Sequence, residues 1–133
     1  MIPTTCTLGA GYWLAGEDDK ARQTLEEGLE IAGDCGAKYY VGWSHRFLGE
    51  ITLKANPARA VSHFEKSVAV FQKIKAENDL ALAYAGYGRL QKQQGQFAHA
   101  REYLMKALQI FERLDTLIEP DKVREILAEL PEA

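Results

Sequence analysis

The chain has 133 residues, of which 47% are hydrophobic and 26% are charged, as expected for one globular domain with a buried core. Sixteen lysine and arginine residues against nineteen aspartate and glutamate residues give a net charge of −3, so there is no overall attraction to nucleic acid. Eleven glycines and two cysteines exclude a collagen-like or disulfide-based class. No apolar run approaches the roughly 20 residues of a membrane helix, and the N-terminus lacks a basic signal-peptide start. We therefore expect a cytoplasmic protein that binds neither nucleic acid nor membrane.

One pattern occurs three times along the chain. A glycine in one predicted helix is followed eleven or twelve residues later by an alanine in the next helix. The glycines lie 40 and 39 residues apart, and the alanines 39 and 40. Self-similarity at a fixed period is typical of solenoids built from helical repeats. The pattern predicts three helix pairs, over residues of about 1–36, 37–77 and 78–115, and its registered positions are Gly9, Gly49, Gly88, Ala21, Ala60 and Ala100.

The first two repeats contain predicted helices with identifiable ends. In the first repeat, we expect helices over about 4–14 and 19–32, and we expect residues 33–36 to break the second one because two of them are glycine. In the second repeat, we expect helices over about 38–55 and 57–76. Asn56 and Pro57 are typical N-cap and first-turn residues for the latter helix.

The third repeat is followed by one additional predicted helix. Asn78 or Asp79 is expected to cap the first helix of this repeat, and Gly95 is expected to end it. The second helix carries apolar residues at helical spacing from Phe97 onward. A seventh helix over about 120–130 has one apolar side and one charged side, as expected of a helix that caps the open end of a solenoid.

Glycines at matching positions predict close contact between the two helices of each pair. A glycine inside a helix costs about 1 kcal/mol relative to alanine, so three at one register imply a packing role that offsets this cost. We expect Gly9, Gly49 and Gly88 to lie where the first helix crosses the second, against the registered alanines. Gly16 and Gly95 are expected to end the first helices of their pairs.

This pattern resembles the tetratricopeptide repeat (TPR), whose consensus is W-x2-L-G-x2-Y…A-x3-F…P. The period of about 40 exceeds the usual 34, and the terminal proline is absent, which longer helices would explain. The resemblance implies a single all-α domain over 1–133: a right-handed α-solenoid of three TPR-like helix pairs plus a C-terminal capping helix. The residues that carry it are Leu8, Gly9, Tyr12 and Ala21; Leu48, Gly49, Ala60 and Phe64; Gly88 and Ala100; and Thr5, His45 and Tyr84 in the consensus tryptophan position.

A second resemblance concerns the C-terminal part of the chain. Residues 107–114 and 117–124 look like the end of the long repeat regions of bacterial signalling proteins, which often follow a nucleotide cyclase or an AAA-type ATPase module. This resemblance implies that the chain is the tail of a larger signalling protein. A regulatory domain of a nucleotide cyclase, with the catalytic module absent, is therefore one alternative function.

The first helices of such pairs line a concave surface, and we predict that this surface binds a peptide with apolar and acidic side chains. Tryptophan and arginine dominate binding energy at interfaces, so Trp43, Arg46, Arg89 and Lys92 are the central candidates. Alternatively, the aromatic residues are core between repeats and the charges are a solvated face. The predicted groove residues are Trp13, Trp43, Arg46, Phe47, Glu50, Lys54, Arg89, Lys92 and Gln93.

No residue pattern predicts chemistry. His45, His63 and His99 lie on different predicted helices without metal-ligand spacing, and Gly9-Ala10-Gly11 lacks the strand and third glycine of a dinucleotide site. The Lys and Asn set with which the best-known TPR proteins hold a C-terminal carboxylate is also absent. We therefore expect no enzyme activity, no metal and no cofactor.

The sequence favours a protein–protein interaction scaffold in which the concave groove holds a protein or peptide partner. The alternative from a different class is a self-association module. In that case, the exposed face of the first repeat would bury Tyr12, Trp13 and neighbouring apolar side chains against a second copy of the chain and form a homo-oligomer.

Overall fold

The computed structural model describes residues 8–9, 11–53, 55–114 and 119–131. Helices account for most of these residues, and no strand occurs among them. A short helical segment comprises residues 8–9 and 11–14 (α1). Six longer helices follow it: Asp18–Cys35 (α2), Lys38–Thr52 (α3), Pro57–Ile74 (α4), Glu77–Gln93 (α5), Phe97–Arg113 (α6) and Glu119–Glu129 (α7).

The helices stack in chain order. Extensive contacts join α3 to α4 and α5 to α6, and smaller ones join α2 to α3, α4 to α5 and α6 to α7. The first helices of successive pairs, α3 and α5, also touch each other. This arrangement confirms the predicted fold class, an all-α solenoid of helix pairs.

The capping helix α7 closes the core of the third pair. Val123 is 1% exposed and Leu130 is 6% exposed, and both belong to the same apolar cluster as Leu104 and Phe111 of α6. These residues therefore cover the apolar surface of α6 at the end of the stack, as the helices of a further repeat would do.

Several predicted helix ends are confirmed. Asn56 caps α4, since its side chain accepts a hydrogen bond from the backbone N–H of Arg59 at 3.3 Å. Gly16 and Gly95 have φ angles of 81° and 78°, the left-handed conformation that ends a helix at low cost for glycine.

Two predicted helix ends are wrong. Neither Asn78 nor Asp79 caps α5, because α4 ends with Lys75 in the left-handed conformation (φ 59°) and the chain turns early enough for Ala76 to take the N-cap position. The predicted break at 33–36 falls later than expected. Helix α2 continues through Gly33 to Cys35, and Gly36 (φ 71°) is the residue that ends it.

The registered glycines permit close packing within each pair, as predicted, but their main contacts are not the registered alanines. An added methyl group would lie 2.9 Å from the ring of Phe64 at Gly49 and 2.7 Å from Cγ of Leu104 at Gly88. At Gly9, it would lie 2.6 Å from Cγ of Leu25. Each glycine therefore makes room for the large residue four positions after the registered alanine.

Gly86 makes an equivalent close contact between successive pairs. A methyl group there would overlap the ring of Phe64 in α4 and lie 2.8 Å from Oε1 of Glu50 in α3. Phe64, itself fully buried, is thus held between Gly49 of its own pair and Gly86 of the next. Glycine in α5 therefore sets the spacing within the third pair and also its distance from the second.

The contrast between Gly88 and Gly33 gives a stability prediction. Gly88→Ala should lower the free energy of unfolding by about 1 to 2 kcal/mol, because overpacking a rigid core costs more than the helix propensity gained. Gly33 lies in α2 with open space around its Cα, so Gly33→Ala should raise that free energy by about 0.5 to 1 kcal/mol. Urea denaturation followed by circular dichroism measures both changes, and stabilisation by both substitutions would contradict the packing role of Gly88.

Candidate functional site

The first helices of the pairs and the capping helix surround one cavity of about 200 Å³. Every one of α1, α3, α5 and α7 contributes to its wall, which is the geometry expected of the concave side of a helical-pair solenoid. The residues that line it are Trp13 from α1, Arg46 and Glu50 from α3, Leu82, Ala85 and Arg89 from α5, and Lys122, Val123 and Ile126 from α7.

The structure brings four of the nine predicted groove residues to this cavity. They are Trp13, Arg46, Glu50 and Arg89, which the sequence places on three different helices. Trp43, Phe47, Lys92 and Gln93 do not line it, although Phe47 contacts two residues that do. Lys54 lies outside the described residues, so its position carries no conclusion.

A row of aromatic side chains runs from α1 along α3 beside the cavity. Trp13 meets Phe47 edge to face with ring centroids 5.5 Å apart, and Phe47 lies 4.4 Å from Trp43. Such tilted contacts are favourable because the positive ring edge meets the negative ring face. All three side chains are half-buried, so the row packs α1 against α3 and still presents aromatic surface to solvent.

Arg46 is the most distinctive residue of the site. The carbon at the centre of its guanidinium group lies 4.3 Å from the centroid of the Phe47 ring, a cation–π arrangement. Its Nε is buried and has no hydrogen-bond partner among the residues that the structure describes. Burial lowers the pKa of Arg46, and the nearby carboxylates of Glu50 and Asp79 oppose this shift. A buried donor without a partner is costly, and an acceptor brought by a ligand would remove that cost.

Two other predicted cationic residues, Arg89 and Lys92, are paired within the chain. Arg89 forms an ion pair with Glu50, whose side chain is only 6% exposed, and Lys92 forms one with Glu129. The positive charge that Arg89 and Lys92 bring to the predicted groove is therefore largely neutralised by acidic residues of α3 and α7. These pairs connect the first helices of successive pairs to one another and to the capping helix.

Gln93 also connects two first helices. Its side-chain N–H donates to the backbone carbonyl of Leu53, just after α3, at 3.0 Å. This contact assigns Gln93 a role in joining the second and third pairs. The two residues lie 40 positions apart, which is one repeat period. The repeat register is therefore the sequence feature that could have indicated this contact.

The structure also shows a histidine pair that no sequence pattern predicts. Nδ1 of His45 in α3 and Nδ1 of His63 in α4 lie 3.0 Å apart, the distance of a hydrogen bond in which one ring donates and the other accepts. Burial lowers the pKa of both rings to about 4, assisted at His45 by His63 and Lys66 and at His63 by Lys66 and Arg59. The pair is therefore neutral at pH 7.

The histidine pair predicts a loss of stability in mild acid. The unfolded histidines have pKa values near 6.5, so the unfolded chain takes up protons first as the pH falls. The free energy of unfolding should therefore decrease between about pH 6.5 and pH 4 and level off below this range. Relative to pH 7.5, we expect a loss of about 2 kcal/mol at pH 5, after allowance for the partial exposure of His63.

Urea denaturation at both pH values measures this loss. Because carboxylates also titrate in this range, the comparison is between the natural chain and the double variant His45→Gln/His63→Gln, which should lose less. His99→Gln is the matched control, since His99 is exposed. Equal pH dependence in the natural chain and the double variant would refute the assignment.

Comparison with known proteins identifies the family. The sequence profile of the tetratricopeptide repeat matches residues 41–113, more than half of the chain, and a comparison with curated proteins finds no match. The signalling context therefore stays a prediction. Within the described residues, no helix is long and apolar enough to span a membrane, and no three His, Cys, Asp or Glu side chains cluster as a metal site would require. The repeat pattern, the stacked helix pairs and this match together show that the chain belongs to the tetratricopeptide repeat family.

Proposed function

We propose that the chain is a non-catalytic scaffold that binds a protein partner in the concave cavity. TPR repeats generally mediate protein–protein interaction. The observation that carries the proposal for this site is Arg46, a cation stacked on Phe47 with a buried Nε that no described residue satisfies. A carboxylate from the partner is the group that best complements it, because carboxylates pair with guanidinium through charge-assisted hydrogen bonds.

The rest of the cavity wall indicates what accompanies the carboxylate. Leu82, Val123 and Ile126 provide apolar surface from two helices, and Trp13 provides an aromatic edge. A volume of about 200 Å³ is below the roughly 300 to 1,000 Å³ of small-molecule sites, and it suits one or two side chains of a peptide. The expected ligand is therefore a segment with an aspartate or glutamate next to an apolar residue.

Arg46 is a better test of this site than Arg89. Removing Arg89 would leave the carboxylate of Glu50 buried without its partner, and that loss of stability would obscure any effect on binding. Arg46 forms no such ion pair with a described residue, so its replacement leaves no buried carboxylate without a partner. Arg46→Met keeps the apolar stem and removes only the charge and the donors.

The proposal predicts which peptides the chain selects. A displayed library of random peptides panned on the natural chain should yield sequences in which an acidic residue neighbours an apolar one. The affinity of the selected peptides, measured by calorimetry, should fall about 10- to 100-fold in Arg46→Met, as expected for loss of a hydrogen bond to a charged group.

The matched control for Arg46→Met is Arg22→Met. Arg22 lies in α2 and does not line the cavity, and its side chain is 42% exposed, so this variant should bind like the natural chain. Circular dichroism first establishes that both variants fold. Undiminished binding by Arg46→Met would refute the concave site.

Self-association through the first repeat remains the second candidate function. The observation that favours it is the exposure of apolar residues in α1, where Leu14 is 80% exposed and Leu8 is 50% exposed. Sedimentation equilibrium over a dilution series should then show a dimer that Leu14→Glu dissociates. A chain that stays monomeric at every concentration would eliminate this candidate and leave the concave site as the proposed function.

A further inference from the structure

A second pocket, of about 280 Å³, lies between α4 and α6 over one face of α5. It shares no lining residue with the concave cavity, and no sequence pattern predicts it. Its wall includes Tyr84, Tyr87 and Tyr103, and we call it the tyrosine pocket. Because α4 and α6 are the second helices of their pairs, this pocket is a different surface of the solenoid from the one lined by the first helices.

The three tyrosine rings form a contiguous aromatic wall. The Tyr103 centroid lies 4.9 Å from that of Tyr87 and 5.7 Å from that of Tyr84. The side-chain N–H of Gln72 donates to the hydroxyl of Tyr84 at 2.9 Å, which fixes the orientation of that ring. Burial raises the pKa of Tyr87, and the carboxylate of Glu65 adds to the shift, so this phenol stays neutral. At Tyr87 the wall therefore presents an uncharged aromatic ring.

An ammonium group already occupies this wall. Nζ of Lys106 lies 4.9 Å from the Tyr103 centroid and 5.6 Å from the Tyr84 centroid, within the range over which ring faces attract cations. The same Nζ also contacts a carboxylate one turn earlier, since it lies 3.5 Å from Oε1 of Glu102. The lysine can therefore leave the rings and keep an ion pair on the surface of α6.

The charges around the tyrosine pocket also favour a cation. Without the ammonium group of Lys106, the wall keeps the exposed carboxylate of Glu65 and three aromatic faces. Neither an anion nor a neutral apolar group would use both features. An alkylammonium group would replace the contacts that Lys106 gives up and would gain the attraction of Glu65.

We propose that the tyrosine pocket binds an alkylammonium group carried by a lysine side chain of a partner protein, and that this group displaces Lys106 from Tyr103. This site is independent of the concave cavity. A partner that uses both surfaces would contribute an acidic segment to one and a basic side chain to the other.

The repeat supplies an internal control for this proposal. Positions 39 or 40 residues before Tyr84, Tyr103 and Lys106 hold His45, His63 and Lys66. The same places in the second pair therefore carry the neutral histidine pair beside a lysine, without the aromatic wall. Lys66→Ala removes an equivalent charge and should leave ammonium binding unchanged.

Nuclear magnetic resonance titration tests the site on the full chain with tyrosine rings labelled with ¹³C. The probes are choline, its neutral isostere 3,3-dimethylbutan-1-ol, and a capped Gly-Lys-Gly peptide. Choline and the peptide should shift the ring signals of Tyr87 and Tyr103 saturably, and the neutral isostere should not. Lys106→Ala should tighten choline binding about three- to tenfold, because the competing ammonium is gone, and Tyr103→Leu should abolish it.

Each alternative outcome overturns a stated part of the proposal. Equal shifts with choline and its isostere would show an apolar pocket, and absence of choline shifts in Lys106→Ala would show no cation site. Binding of choline without binding of the lysine peptide would overturn the protein side chain as the source of the ammonium. If Tyr103→Leu fails to fold, Tyr87→Leu replaces it. Failure of this site leaves the Arg46 experiment unaffected, because the two surfaces share no residue.

Discussion

The structure depends on close contact between helices at glycine. Gly49 and Gly88 let a large side chain of the second helix reach the backbone of the first, and Gly86 extends the same contact to the next pair. Interiors are packed too densely to absorb an extra methyl group at such places, so these glycines set the distances between helices. Because that distance repeats along the chain, the first helices converge, and α1 and α7 reach the same cavity.

Packing of this kind brings charged side chains of the first helices close together, and several of them form ion pairs. Glu50 with Arg89 and Lys92 with Glu129 each connect two different helices. The Arg89–Glu50 pair is partly buried, and such a pair adds less to stability than to the choice of one arrangement, since burial of the charges offsets much of their attraction. The Lys92–Glu129 pair is exposed, and water weakens its attraction. Among the residues that the structure describes, Arg46 is the cation with a buried donor that lacks a partner, and for that reason it is the centre of the proposed binding site.

Equivalent positions of successive repeats carry different chemistry on one framework. Between the two helices of the second pair lie His45 and His63, joined Nδ1 to Nδ1. At the corresponding places of the third pair, Tyr84 and Tyr103 contact each other and a lysine. The backbone requires only a side chain of suitable size there. The choice between imidazole and phenol then determines whether the pair responds to pH or attracts a cation.

The sequence predicts the fold well because its determinants are local and repeated. Gly49 and Gly88 recur at one register, Asn56-Pro57 starts a helix, and Pro120 lies in the first turn of α7. The errors lie where geometry departs from residue preference: Lys75 adopts a left-handed conformation usually taken by glycine, and Gly33 stays helical.

The candidate site was less predictable. The sequence predicts that Arg46 and Arg89 both face the concave groove. Whether Arg89 forms an ion pair with Glu50, however, depends on the angle by which one pair of helices is rotated relative to the next. The contact of His45 with His63 depends on the crossing of two helices. A repeat period constrains neither quantity.

The central claim is that the helix pairs curl enough to bring α1 and α7 to one cavity, with Trp13 and Ile126 in its wall. The most direct measurement is paramagnetic broadening of the Trp13 indole N–H signal by a nitroxide on Ile126→Cys, with Cys6 and Cys35 replaced by serine. Trp43→Phe assigns the signal, and Gln109→Cys on the exposed face of α6 is the control. The account predicts broadening from position 126 that reduction of the nitroxide reverses, with little from position 109. An unbroadened signal with the label at 126 would show that the first helices do not converge, and it would contradict the account.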